Sequence, residues 1–123
     1  MDIRVATMEE AERTVKAILG LSPVLPDATI DVTGGLNRPP MERTPAIARL
    51  FEAASRIAST AGIKLTEAEV GGGSDGQFAA AAGTPVLDGL GGVGEGPHAE
   101  HEHISVEALP QRVALLASLL VGD

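Results

Sequence analysis

The stretch from Thr44 to Gly62 carries its own start, face and stop. Thr44 is a side-chain acceptor suited to cap a helix. Pro45 follows at the first helical position, where a missing N–H costs nothing. Ile47, Leu50, Phe51, Ala54, Ile57, Ala58 and Ala61 recur at three- and four-residue spacing and make one face apolar. Gly62 ends the pattern. A helix with such a stripe needs a second layer to cover it, so the chain is expected to build a packed core.

Aromatic residues make up 2% of the chain and hydrophobic residues 44%, so that core has to come from Ala, Val, Leu and Ile. The 123 residues suit one ordinary domain or pieces of two. There is no Trp or Tyr to stack on a base or a sugar, and the formal charge of −8 repels phosphate backbones. Nucleic acid is therefore excluded as a partner, and anionic membranes are disfavoured on the same ground. With no cysteine there is no disulfide, no thiolate catalysis and no Cys-ligated zinc. The strongly apolar run 113–121 is too short to span a bilayer. Met1-Asp2-Ile3-Arg4 has no signal-peptide pattern, so a cytoplasmic location is expected.

Residues 3–6 alternate like a short strand. Thr7 and Glu10 then form a capping box, and Ala11, Val15, Ile18 and Leu19 share a helical face that stops at Gly20. Residues 29–32 alternate again, completing a β-α-β piece. Gly34 to Pro40 is punctuated by Gly and Pro and marks a domain boundary. After the helix that starts at Thr44, residues 63–70 read as a strand. The glycine loop 71–76 follows, and Ser74 with Gln77 caps a short helix closed by Gly83. Residues 85–87 read as a further strand and residues 89–96 as a second glycine loop. Ser105 caps a last helix whose first turns Pro110 bends, with Leu109, Val113, Leu116, Leu119 and Leu120 facing the core. The order predicts an α/β protein with about five strands in two groups.

Three features could carry chemistry. His98, His101 and His103 lie close together with Glu95, Glu100 and Glu102 among them, either as a cation site or as a solvated acidic loop. The loop 71–76 could bind a carboxylate through its backbone amides, or could simply be a tight strand-to-helix turn. It is neither a Walker loop nor a dinucleotide fingerprint. Arg38, on a connector bounded by Pro39-Pro40, could grip a carboxylate with two parallel hydrogen bonds, or could be merely exposed. No Ser/His/Asp triad can be assembled from the pattern.

Four segments occur in order: Gly34-Gly35-Leu36-Asn37-Arg38-Pro39-Pro40-Met41, Gly71-Gly72-Gly73-Ser74-Asp75-Gly76-Gln77-Phe78, Gly83-Thr84-Pro85-Val86, and Pro97-His98-Ala99-Glu100-His101-Glu102-His103-Ile104. Together they resemble the di-zinc metallopeptidase family of glutamate carboxypeptidases, acetylornithine deacetylase, succinyl-diaminopimelate desuccinylase and aminoacylase, in its C-terminal part. The resemblance implies an α/β fold: the C-terminal part of a zinc exopeptidase-type catalytic domain, residues 36–123, preceded by the last β-α-β of its lid or dimerisation domain, residues 1–35. It implies that His98 is a zinc ligand and that Glu102 supports the site from just beyond it. It implies that Arg38 binds the substrate carboxylate and that Gly72, Gly73 and Ser74 line the pocket. His101 and His103 have no role in it.

The family's other zinc ligands and its general-base glutamate have no counterpart in this sequence. The resemblance therefore implies a carboxypeptidase or deacylase that uses two zinc ions and acts on small peptides or N-acyl amino acids, while the chain alone is expected to be inactive and to bind zinc weakly or not at all. The alternative is a stand-alone non-catalytic module that keeps the same scaffold for binding or assembly. With the stripe from Ile47 to Ile57 lacking a partner, a homo-oligomer is expected.

Overall fold

The computed structural model describes residues 1–122. Four helices and one small hairpin form, in the order α1 (Met8–Leu19), α2 (Pro45–Thr60), α3 (Gly76–Ala81), β1 (Gly94–Glu95), β2 (His103–Ile104) and α4 (Leu109–Val121). The chain divides into two compact units. One holds Met1–Arg43 with Val70–Thr84, and the other Thr44–Glu69 with Pro85–Asp123.

In the first unit, α1 begins as its cap residues dictate. Thr7 Oγ1 accepts the Glu10 amide at 3.2 Å, and Glu10 reaches back to accept the Ala6 amide at 3.0 Å. Glu9 and Glu10 in the first turn and Lys16 in the last complement the helix dipole. Ala11 is its buried residue, while Leu19, expected on the same helical face, is 55% exposed. The short helix α3 is entered through Ser74, whose amide donates to the Gln77 side chain and whose hydroxyl accepts the Gly76 amide. It closes when Gly83 and Thr84 donate to the carbonyls of Ala80 and Ala79.

In the second unit, α2 starts at Thr44, whose hydroxyl accepts the Ile47 amide at 3.3 Å. It stops where Gly62 turns left-handed at φ 70°, which lets Gly62 and Ile63 donate to the carbonyls of Ser59 and Ala58. A side chain at that φ would crowd the following carbonyl, which is why glycine closes the helix. α2 packs against α4, and the buried residues of the pair are Ala54, Ala58 and Leu115. α4 therefore covers Ala54 and Ala58 of the stripe on α2, which was expected to lack a partner, while Leu50 on the same stripe is 36% exposed. On α4 the buried residue is Leu115, whereas Val113, Leu116 and Leu120 are 62%, 38% and 87% exposed. The residues 113–121 are apolar on every side, so periodicity could not select the inward face. Pro110 sits in the first turn, where it is accommodated, and Ser105 Oγ accepts the Ala108 amide just ahead of the helix.

The expected strands at 3–6, 29–32, 63–70 and 85–87 do not join a ladder among the described residues. A run of a few alternating residues has little strand preference of its own, and what fixes it is a hydrogen-bonded neighbour, which none of the four acquires here. The sheet that does form is the antiparallel pair β1–β2, with Gly94 opposite Ile104 and Glu95 opposite His103. Among the described residues no helix is long and apolar enough to cross a membrane.

Candidate functional site

In the first unit, residues 34–38, the glycine loop and the chain start border a cavity of about 830 Å³, lined by Arg4, Leu36, Arg38, Gly72, Gly73 and Gln77 among others. Arg38 lies across the loop. Its Nη1 donates to the Ser74 carbonyl at 3.0 Å and to Asp75 Oδ1 at 2.9 Å, and its guanidinium carbon stands 4.9 Å from the centre of the Phe78 ring. Both of its hydrogen bonds among the described residues leave from Nη1. Gly73 lies beside Arg38, and a Cβ there would be in ordinary contact with Arg38 Cδ at 3.4 Å. Arg38, Gly73 and Ser74 are thus brought together, with Gly72 on the same cavity wall.

Asp75 is 92% exposed at its side chain, so its ion pair with Arg38 is weak and exchangeable. Sequence reasoning missed two residues here. Arg4 donates from Nη1 to the Gly71 carbonyl and lines the same cavity, and nothing in its short alternating segment marks it out. Phe78 closes the second of the four segments, but its stacking on Arg38 is visible only in three dimensions.

The histidine segment lies in the second unit, on the turn between β1 and β2. His98 is exposed and takes a left-handed φ of 67°, a conformation that costs a non-glycine residue about 1 kcal/mol. His103 Nδ1 lies 2.9 Å from the His101 carbonyl, to which it can donate in one tautomer, and the His101 ring rests against Gly96. Glu100 and Glu102 are exposed. Among the described residues no three of the His, Asp and Glu side chains come together in a way that could hold an ion. A catalytic zinc needs about three protein ligands and an open position, so the donors present do not fit one by themselves.

The profile of Peptidase family M20/M25/M40 matches residues 3–121, and the chain belongs to that family. It is 30% identical over 124 residues to carboxypeptidase G2 of Pseudomonas sp. (strain RS-16), an alignment covering 98% of this chain and 30% of that protein. The chain therefore spans less than a third of the length of that relative. No solved structure matches it at a significant level. Members of the family are generally zinc-dependent hydrolases.

Proposed function

We propose that this chain is the carboxylate-gripping part of a zinc-dependent hydrolase that cleaves the amide bond of C-terminal amino acids or of N-acyl amino acids. The observation that carries the reading is Arg38, held on the glycine loop by Ser74 and Phe78. A guanidinium seated in this way meets a carboxylate with two parallel hydrogen bonds and so fixes the neighbouring amide. Gly72 and Gly73 let the ligand approach the backbone, and Ser74 sets the orientation of Arg38. In this reading residues 1–35 are the last piece of the lid domain and residues 36–123 the returning part of the catalytic domain. His98 is the one zinc ligand the chain contributes, with Glu102 behind it. No metal-dependent step is assigned to this chain, because its own donors do not make a site.

The test is a titration of the purified chain with N-acetylglutamate, followed by the amide resonances of residues 71–76. Binding is expected, with Arg38→Lys weakening it about tenfold, because a point charge loses the paired geometry. No turnover of N-acyl amino acids or C-terminal glutamyl peptides is expected from the chain alone, with or without zinc. Zinc-dependent hydrolysis by the chain would overturn that part, and shifts confined to residues outside the loop would overturn the carboxylate site.

The partner expectation takes a revised form. Part of the apolar surface left over on the second unit lies on α4, where Val113, Leu120 and Val121 are 62%, 87% and 71% exposed. Self-association through that surface is the proposal, and sedimentation at micromolar concentration should give a species heavier than 12.5 kDa. Replacing Val113 and Leu120 by glutamate should return it to monomer. A wild-type chain that sediments as a monomer throughout would reject it.

A further inference from the structure

Two residues per strand is too little to hold a hairpin in water, yet β1 and β2 stay paired and carry the turn on which His98 sits. Support has to come from outside the ladder. The exit leg is tied by Ser105, whose amide donates to the Val93 carbonyl at 2.7 Å and whose hydroxyl accepts the Ala108 amide ahead of α4. The entry leg is tied by Arg112 on α4. Its Nε donates to the Gly91 carbonyl at 2.7 Å and its Nη2 to the Gly89 carbonyl at 2.6 Å. Neighbouring nitrogens of one rigid fork thus bind two carbonyls on the segment that feeds β1. Arg112 is half-buried, and among the described residues it makes no ion pair, so its charge is directed at the backbone of this loop.

We propose that Arg112 is a positioning residue: it clamps the second glycine loop to α4 and thereby holds the β1–β2 turn in the one shape that keeps His98 left-handed. Nothing in the turn itself suffices. Its internal bonds are Ala99 to the Gly96 carbonyl and Glu102 to the Ala99 carbonyl, and a left-handed histidine opposes them. With the entry leg released, His98 relaxes to the ordinary side of φ and the pairing of Gly94 with Ile104 opens. That the held residue matters to function rests on the reading of His98 as a metal ligand given above; the clamp itself does not.

The experiment uses the full 123-residue chain, labelled for NMR, as wild type, Arg112→Lys and Arg112→Met. In Arg112→Met, exchange of the Ser105 amide should quicken about tenfold, and the order parameter of His98 should fall from about 0.85 to below about 0.6, while the amides of Ala54 and Ala58 keep their wild-type protection. Arg112→Lys, a single charged donor group without the planar fork, should recover only part of the protection. Unchanged Ser105 exchange and His98 order in Arg112→Met would overturn the proposal. So would an equal loss of protection at Ala54 and Ala58, which would make Arg112 a general stabiliser. Zinc titration read at the His98 ring resonances of the wild type separates the two readings. Silence there rejects His98 as a ligand and leaves the clamp standing on its exchange data.

Discussion

Leu115→Ala is expected to cost the second unit about 3 kcal/mol. Leu115 is 1% exposed and is the largest fully buried side chain among the described residues, the other buried positions being Ala11, Ala54 and Ala58. Removing three carbons from it leaves a void that alanines on a facing helix cannot refill, since they have no longer rotamer to swing inward. A domain is stable by only about 5–15 kcal/mol in all, so a loss of this size brings the unit near its threshold. The measurement is denaturant unfolding followed by helical circular dichroism, with the midpoint falling and the slope kept. Gln111→Ala on the same helix is the control. Gln111 is exposed, and its loss should stay within about 0.5 kcal/mol. Equal effects from the two would contradict the packing of α2 on α4.

Gly94→Ala is the second large effect, and it is local. A Cβ built on Gly94 would overlap the His103 carbonyl oxygen of the opposite strand. That oxygen belongs to backbone and cannot rotate aside, so the strands must part. We expect the hairpin to open, with exchange at Ser105 rising on the order of a hundredfold. Gly92→Ala should be far milder. Its Cβ would meet Ile104 Cγ2 at 3.1 Å, and a side chain can give way by a few tenths of an ångström. Protection at Ser105 that survives Gly94→Ala would show that the pairing is looser than the register of Gly94 with Ile104 implies.

The contrast between helices and strands explains what could be read from residues alone. Thr7 with Glu10, Thr44 with Pro45, and Gly62 act within four positions of themselves, so their chemistry is complete in the local sequence, and the helices they bound are present. The four expected strands depended on neighbours distant in sequence, and no local signal can supply those. The hairpin that forms was missed for the opposite reason. Gly94-Glu95 and His103-Ile104 show no β-branched alternation, and their pairing rests on a missing Cβ. On α4 the inward choice of Leu115 over Leu116 was hidden because both are leucine.

The candidate site divides in the same way. The placement of Arg38 beside Gly73 and Ser74 was legible through recognised segments, not through spacing. The interplay of Arg38 with Asp75 and Phe78, the second guanidinium of Arg4 and the clamp of Arg112 all join residues more than 20 positions apart. The histidines are close in sequence, but among the described residues they do not gather into a group that could hold an ion, and the His101 ring rests against Gly96.

The interleaving of the two units has a consequence for biosynthesis. Val70–Thr84 belongs with the first unit although it follows α2, so the chain leaves the second unit and returns to it. On the ribosome α2 is finished about 50 residues before α4 begins, a delay of roughly 3–10 s at ordinary elongation rates. Throughout that interval Ala54 and Ala58 face solvent with no leucine to cover them. The first unit can close as soon as Thr84 is made, whereas the second waits for α4. Any slowing between those points prolongs the time in which a nascent α2 is available to chaperones or to another nascent chain.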